Sequence, residues 1–376
     1  MEFRDLKRQY AFNKENLDEA VRNVLSSADF IQGNQVHELE SRLADYTGVR
    51  HCVTCANGTD ALELALMVWG IGEGDAVFVP DFTFFSSGEV VASVGAVPFF
   101  VDVDEDTYNI DTKKLLSSIE RVLQEGRYIP KAVIAVDLFG QPADYAEIRK
   151  IADKYGMYIL EDGAQGFGGS IVDKKACSFG DISTTSFFPA KPLGCYGDGG
   201  AVFTDNDEWA QMLCSLAVHG KGKSKYDNIR IGMNSRLDTL QAAVLQAKLP
   251  VFVHRELEQG NRLAEFYSER LKEVVKVPAV KDRYYSSWAQ YTIQLKEEQD
   301  RQGLQDYLKN EGIPTAVYYP KPMHRQTAFS KMEYREEEYP VTNRLCRSVL
   351  SLPFHPYMEA EEAEFITEKI TGYLRE

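Results

Sequence analysis

Short apolar runs alternate with amphipathic stretches between about residues 50 and 205, and this alternation constrains the fold more than any other feature. The runs are rich in Val, Ile and Phe and largely continuous, which is typical of strands that are buried on both faces. The stretches between them carry apolar residues at helical spacing, as in 59–69. The pattern therefore predicts an α/β fold with a mainly parallel sheet and helices on both sides. Seven strands are expected, at 51–56, 76–82, 98–103, 131–138, 157–162, 184–188 and 200–205.

The pattern changes near residue 236, and the rest of the chain favours a smaller α+β domain. Two long helical stretches, 236–249 and 251–274, are separated by Pro250. A strand candidate (288–295), a helix (301–310) and a final helix from about Glu359 follow. A length of 376 residues agrees with two domains. We expect an N-terminal segment (1–25) that packs on the small domain or on a partner, a large domain (26–249) and a small C-terminal domain (250–376).

Composition and charge exclude several classes of protein. The chain is 44% hydrophobic and 26% charged, which argues against extensive disorder. A net charge of −15 argues against non-specific nucleic-acid binding and against a polybasic membrane-surface protein. No hydrophobic leader and no window of 18 apolar residues is present, so we expect a cytoplasmic location and no membrane span. Cys52 and Cys55 form a C-x-x-C without a second pair, which favours reduced thiols over a zinc or redox site.

Lys191 is the first candidate catalytic residue. It lies in TSFFPAKPLGCYGDGGA (185–201), just beyond a predicted buried strand and before Pro192. A lysine at the rim of an apolar strand can be desolvated, which lowers its pKa and prepares it to form a Schiff base. Taken alone, a solvated surface lysine is the more common outcome.

Two other stretches carry groups that suit a charged ligand. In MYILEDGAQGFGG (157–169), Asp162 ends a predicted strand, where α/β sheets place ligand contacts, and Gln165 follows it. Asp162 could hold a charged ring nitrogen or could simply cap the next turn. In CANGTDALELAL (55–66), Gly58 and Thr59 open a helix whose N-terminus suits a phosphate. The alternative is that Thr59 is a plain N-cap.

Together these groups match the needs of pyridoxal 5′-phosphate. The phosphate needs an anchor, the ring nitrogen needs an anion, and the aldehyde needs a lysine that can also move protons. Ser186 could add a hydroxyl to the phosphate site, and Phe84 of the run FTFF (82–85) could stack on the ring.

The motifs NGTDAL, EDGAQ, SFFPAKPLG, GDGGA and GMNSRLDTLQAA (232–243) resemble those of the DegT/StrS family of nucleotide-sugar aminotransferases. The resemblance extends from DLKRQY (5–10) to LPFHPY (352–357) and implies the aspartate-aminotransferase fold, fold type I. It implies that Lys191 joins the cofactor, that Asp162 pairs with the ring nitrogen and that Gln165 contacts the ring oxygen. It also implies that Thr59 and Ser186 hold the phosphate. Asn234 would reach the phosphate from the other subunit of a homodimer with shared active sites.

Within the family, the motif text is most similar to enzymes that act on UDP-2-acetamido-2-deoxy-3-oxo-glucuronate. Their sugar-nucleotide contacts map to six positions here, Ala28, Phe30, Ala190, Arg236, Tyr318 and Tyr319. Arg236 and Tyr319 match the relatives, whereas the other four positions usually hold Gly, Tyr, Ser and His. The resemblance thus implies transfer of an amino group from L-glutamate to a keto-sugar nucleotide, for surface polysaccharide such as O-antigen.

Three alternatives stay open at this point. Another UDP- or dTDP-linked 3- or 4-keto-sugar would suit the same cofactor residues. A pyridoxamine-dependent dehydratase would have histidine in place of Lys191, so the lysine counts against it. A non-enzymatic regulator of the same fold would have no use for the cofactor residues.

Two further features each have a functional and a structural interpretation. The loop with His219, Lys221, Lys223 and Lys225 is basic enough to meet a diphosphate, or is a solvated turn. His324 either lines the sugar pocket or is a loop histidine held by backbone groups.

Overall fold

The centre of the molecule is a seven-stranded sheet, in a computed structural model that describes residues 1–224, 226–296 and 300–375. Each of the seven apolar runs forms one of its strands, so the strand prediction is confirmed. Two short strands in the loop after the fifth run form a separate small sheet. In chain order the strands are β1 His51–Cys55, β2 Asp75–Pro80, β3 Val97–Val101, β4 Ile129–Val136, β5 Tyr158–Asp162, β6 Ser170–Ile171, β7 Lys174–Lys175, β8 Ile182–Ser186 and β9 Gly200–Thr204.

The order of strands in the large sheet is β1-β9-β8-β5-β4-β2-β3. β9 pairs antiparallel with both of its neighbours, while the other pairs are parallel. Six strands therefore run in one direction, and their carboxyl ends meet at one edge of the sheet. The sequence segments that follow β1, β2, β5 and β8 are brought together there.

Helices cover both faces of this sheet. Alternate strand residues point to opposite faces, for example Val79 to one and Phe78 to the other. Leu62 of α4 packs on the first face and Ile119 of α6 on the second. The helices are α1 Leu6–Phe12, α2 Lys14–Ser27, α3 Asn34–Thr47, α4 Gly58–Val68, α5 Ser86–Ser93, α6 Thr112–Glu125, α7 Tyr145–Tyr155, α8 Asp207–Leu216, α9 Thr239–Val251, α10 Leu257–Leu271, α11 Arg301–Asn310, α12 Pro340–Ser348 and α13 Ala360–Arg375.

The helix break expected at Pro250 is wrong. α9 continues through Pro250 to Val251, and a π-helical turn, Phe252–Glu256, joins it to α10. A proline inside a helix leaves the carbonyl four residues earlier without its usual donor. That carbonyl belongs to Gln246, and the guanidinium of Arg42 donates to it at 3.3 Å. A tertiary contact thus supplies the missing donor, and the chain stays helical.

The C-terminal part has its own core around a two-stranded antiparallel sheet. β11 (Tyr291–Gln294) pairs with β12 (Val349–Leu352), whereas the two-residue strand β10 (Tyr284–Tyr285) joins the small sheet of β6 and β7. Tyr267 and Ile366 are buried around β11 and β12. Because one helical run crosses residues 249 and 250, the division at this point stays a prediction.

The N-terminal segment contacts both parts of the chain. Arg8 pairs with Glu362, and Gln9 donates to Glu256 at 2.9 Å. The amide of Asn13 donates to the carbonyl of Ala247 at 2.8 Å. Within the described part of the chain, no helix combines the length and apolar character that crossing a membrane requires.

Candidate active site

A cavity of about 700 Å³ opens at the carboxyl edge of the large sheet. It is lined by ten of the fourteen residues that the sequence singles out: Gly58, Thr59, Phe84, Asp162, Gln165, Ser186, Ala190, Lys191, Tyr318 and Tyr319. Residues up to 262 positions apart, such as Asn57 and Tyr319, share this space. The ends of β5 and β8 are adjacent and that of β1 lies beyond β9, while Tyr319 enters from the loop after α11.

The N-terminus of α4 forms one end of the cavity. Asn57 is the N-cap, since its side chain accepts from the N–H of Asp60 at 2.8 Å. The interpretation of Thr59 as the cap is therefore wrong, and its hydroxyl instead lies 2.7 Å from that of Ser86. A Cβ on Gly58 would lie 2.7 Å from Cβ of Ser186, so only glycine permits this approach of α4 to β8. Hydroxyls and helix N–H groups converge here in a cradle suited to a phosphate.

Asp162 lies buried at the end of β5. Its carboxylate accepts from the hydroxyl of Ser87 at 2.9 Å and from the N–H of Ala164 at 3.2 Å. Burial raises the pKa of this carboxyl, whereas Lys191 and the two donors act against the rise. A buried carboxyl with so few donors would gain most from a cationic partner, which a protonated ring nitrogen provides. The turn contact to Ala164 and the ligand position are thus compatible.

Lys191 faces the same cavity from the loop after β8. Its backbone N–H donates to the carbonyl of Phe188 at 2.8 Å, which closes a tight turn under the side chain. Burial lowers the pKa of the amine, with Asp162 acting in the opposite direction. A larger share of neutral amine makes this lysine a better nucleophile and proton acceptor.

The side chain of Gln165 is oriented by two hydrogen bonds. Its Oε1 accepts from the backbone N–H of Phe139 at 2.7 Å, and its Nε2 donates to the hydroxyl of Tyr319 at 3.0 Å. Phe84 is 54% exposed, and its ring centre lies 6.4 Å from that of Tyr319. An amide donor and an aromatic face are therefore both presented to the cavity.

Several residues of this site were missed by the sequence reasoning. Ser86 and Asn57 line the cavity, and Ser87 supports Asp162 from behind. The N-cap preference of asparagine before Gly-Thr was a signal for Asn57. Gln290 also lines the cavity, but it enters from just before β11 and no local pattern could have placed it there.

Four of the singled-out residues lie outside the cavity of this chain, and we call them the outer patch: Ala28, Phe30, Asn234 and Arg236. The segments that carry them are neighbours, because the N–H of Thr239 donates to the carbonyl of Phe30 at 3.0 Å. The guanidinium of Arg236 donates to the side chain of Asn234. Phe30 is 43% exposed. The outer patch thus combines polar and apolar groups on two segments joined by a backbone hydrogen bond.

Neither His324 nor the described residues of the basic loop line the cavity. His324 does not line the cavity, since its ring is buried 2.6 Å from the carboxylate of Asp81 and stacks on Tyr339. Of the two interpretations left open, a place in the cavity is not observed, and the ring is held by a carboxylate and not by backbone groups. His219, Lys221 and Lys223 do not line the cavity either, and Lys225 lies outside the described residues.

The family model described as "DegT/DnrJ/EryC1/StrS aminotransferase family" matches residues 12–371. The chain belongs to this family. The predicted resemblance and the fold are thereby confirmed, and the protein is an aminotransferase with pyridoxal 5′-phosphate as its cofactor. The donor set fits that group, because a phosphate cradle, a buried carboxyl and a lysine with a lowered pKa line one cavity.

Individual relatives cover almost the whole chain. A UDP-2-acetamido-2-deoxy-3-oxo-D-glucuronate aminotransferase from Pseudomonas aeruginosa is 42% identical over 99% of this chain and 100% of its own length. A "pleiotropic regulatory protein" from Geobacillus stearothermophilus is 39% identical over 99% of this chain and 98% of its own. A solved DegT/DnrJ/EryC1/StrS aminotransferase from Brucella abortus is 48% identical, covers 100% of both chains and has a TM-score of 0.97.

Proposed function

We propose that this aminotransferase moves the amino group of L-glutamate to a keto-sugar nucleotide. UDP-2-acetamido-2-deoxy-3-oxo-glucuronate is the first candidate acceptor, for the biosynthesis of surface polysaccharide. The observation that carries the proposal is the shared cavity of about 700 Å³. All predicted cofactor residues except Asn234 line it, together with three of the six predicted sugar contacts, Ala190, Tyr318 and Tyr319. The similarity to the Pseudomonas enzyme supports the choice of acceptor.

We assign the cofactor contacts residue by residue. Gly58, Thr59 and Ser186 would hold the phosphate, Asp162 the ring nitrogen and Gln165 the ring oxygen, with Phe84 against the ring face. When bound, pyridoxal phosphate withdraws electrons from the carbon that carries the amino group and so makes its proton removable. Asp162 serves this chemistry by keeping the ring nitrogen protonated, since a neutral ring is a weaker electron sink.

Lys191 is assigned the proton transfers of both half-reactions. Its Nζ, neutral in a larger share of molecules because burial lowers its pKa, accepts the proton from the α-carbon of glutamate. The same atom delivers a proton to the sugar carbon that receives nitrogen. Gln165 and Tyr319, which line the same cavity, are already joined by a hydrogen bond.

The protein is proposed to act as a homodimer in which each outer patch completes the partner's cavity. Asn234 would reach the phosphate of the cofactor, and Arg236 the diphosphate or carboxylate of the sugar nucleotide. Ala28 and Phe30 would line the sugar site from the same direction. The exposure of Ile231, at 89%, and of Phe30 supports burial of this face in a dimer. We also propose a cytoplasmic location, since all six cysteines are free thiols.

The test is a panel of UDP-, dTDP- and GDP-linked keto-sugars offered with glutamate, with 2-oxoglutarate release and product mass as readouts. We expect amination of a UDP-linked 3-keto-sugar that carries a carboxylate, and weaker turnover of the same sugar without the carboxylate. Turnover of simple keto acids without any nucleotide sugar would contradict the substrate class. Wild-type protein that gains no visible absorbance with pyridoxal phosphate would favour the regulator instead.

A further inference from the structure

Two cationic side chains from distant parts of the chain donate hydrogen bonds to backbone carbonyls of the loop that carries Lys191. We call residues 187–195 the lysine loop. Nη2 of Arg4 donates to the carbonyl of Lys191 at 2.8 Å, and the carbonyl of Pro192 lies 3.5 Å from the same atom. The amine of Lys248, on α9, donates to the carbonyl of Gly194. The loop also closes on itself, because the N–H of Cys195 donates to the carbonyl of Phe187 at 2.8 Å.

Arg4 belongs to residues 3–8, which we call the N-terminal arm. Other residues of this arm hold it in place through contacts that do not involve Arg4. The carbonyl of Phe3 accepts from the N–H of Phe354 at 3.0 Å, and the ring of Phe3 meets the edge of Tyr318. Arg8 pairs with Glu362 at the start of α13. The arm therefore keeps its place through these contacts, and Arg4 is free to serve the lysine loop.

Burial favours a neutral amine on Lys191, whereas the two nearest charges act on it in opposite directions. Burial is the main cause that lowers the pKa of Lys191, and the positive charge of Arg4 lowers it further, against Asp162. Burial also lowers the pKa of Lys248 to about 8. Glu256, which accepts from Gln9 and from the hydroxyl of Tyr357, is the carboxylate that acts on both Arg4 and Lys248.

We propose that Arg4 is a positioning residue for Lys191: its guanidinium ties the N-terminal arm to the carbonyl of Lys191 and holds the amine toward the cavity. The inference rests on the proposed role of Lys191 in joining the cofactor. Arg4 itself is not among the residues that line the cavity, so it acts through the lysine loop and through its charge.

The first measurement is hydrogen exchange of the protein without cofactor. Arg4→Met removes the guanidinium and keeps an aliphatic chain, and we expect the amides of Lys191 and Cys195 to exchange about tenfold faster. Lys7→Met is the matched control, since Lys7 is an exposed cation of the same arm whose side chain pairs with Glu2. Unchanged exchange in Arg4→Met would overturn the positioning role.

The second measurement is a pH titration of the visible absorbance of the cofactor joined to lysine. Without the charge of Arg4, the protonated form should persist to higher pH in both Arg4→Met and Arg4→Gln. Arg4→Lys should return the titration toward that of the wild type, and Lys7→Met should leave it in place. If Arg4→Met does not fold, Arg4→Gln must still show the upward shift. A titration that moves in neither neutral variant would overturn the inference.

Lys191→Ala separates this inference from the proposed function. If the wild type has the visible band, Lys191→Ala lacks it and the Arg4 variants behave as the wild type, only the role of Arg4 is contradicted. If Lys191→Ala keeps the band, the proposed role of Lys191 is contradicted first.

Discussion

The cavity and the outer patch differ in how much of each a single chain completes. Thr59, Asp162 and Ser186 lie at or next to the ends of strands held side by side by backbone hydrogen bonds, so one chain brings them together. Asn234 and Arg236 lie in a loop before α9 and do not line the cavity of their own chain. The hydrogen bonds of the sheet fix the positions of the strand ends. An exposed loop, in contrast, contributes to a site only when another molecule packs against it. In the proposed dimer, one chain would supply most of the cofactor contacts, and the partner would add Asn234 at the phosphate and three of the six sugar contacts.

The largest expected effect tests the predicted cofactor residues of the cavity. Lys191→Ala should fold and bind the cofactor phosphate, but turnover should fall by about 10⁴-fold because the proton transfers lose their acid and base. The measurement is 2-oxoglutarate release from glutamate and the accepted keto-sugar, with circular dichroism to check folding. A folded variant with near-wild-type turnover would show that another group does this work.

Asp162→Asn should lower turnover by about 100- to 1000-fold, because an amide does not keep the ring nitrogen protonated. Its thermal unfolding temperature should change far less than its rate. Ser87→Ala is the graded comparison, since it removes the donor at 2.9 Å and leaves the carboxylate. Equal rates in Asp162→Asn and the wild type would reduce Asp162 to a turn residue.

Mixing two inactive proteins tests the outer patch. Lys191→Ala and Asn234→Ala homodimers should recover about one quarter of wild-type activity after complete subunit exchange. Half of the dimers are then mixed, and each mixed dimer has one site with both native residues. Native mass spectrometry measures the extent of subunit exchange. If fully exchanged mixtures recover no activity, the active sites are not shared.

Arg236→Lys should have a smaller effect that is confined to the sugar nucleotide. Lysine keeps the positive charge but cannot donate the bidentate pair of hydrogen bonds that a guanidinium offers. We therefore expect KM for the sugar nucleotide to rise about tenfold. The glutamate half-reaction, followed by the cofactor absorbance, should stay nearly unchanged. Lys223→Met, in the basic loop, is the control. If its KM for the sugar nucleotide rises as well, the basic loop contributes to binding of the diphosphate.

The smallest effect concerns a buried pair of carboxyl groups, those of Asp137 and Glu161. Oδ1 of Asp137 accepts from the N–H of Ala143 at 3.0 Å and from the hydroxyl of Tyr145 at 2.7 Å. Its other oxygen has no donor among the described residues and faces Glu161, which accepts from Ser183 and three backbone N–H groups. Burial and the neighbouring Glu161 hold the pKa of Asp137 well above its usual range.

A raised pKa in the folded state makes the wild type lose stability as pH rises above the pKa of the unfolded chain. Asparagine can donate to Glu161 without carrying a proton that ionises. Asp137→Asn should therefore gain on the wild type from pH 5 to pH 8, by about 2 °C in Tm. Tyr145→Phe, which removes one donor, serves as the comparison. A gain that shrinks with rising pH would contradict the raised pKa of Asp137.

The sequence by itself determined the elements whose cause is local. Continuous apolar runs were enough for the strands of the large sheet, and 301–310 was enough for α11. Gly156 ends α7 in the left-handed conformation expected of a C-cap glycine. The meeting of Thr59, Asp162 and Ser186 in one cavity was predictable for the same reason, since parallel strands have their carboxyl ends at one edge of a sheet.

Only the tertiary structure decided the features that depend on partners far along the chain. Pro250 stays inside a helix because Arg42 reaches the carbonyl that it leaves without a donor. His324 is withdrawn from the cavity by Asp81, 243 residues away, and Lys191 is supported by Arg4, 187 residues away. No local spacing encodes such contacts, because their energy comes from burying and pairing polar groups that meet only after the chain has folded.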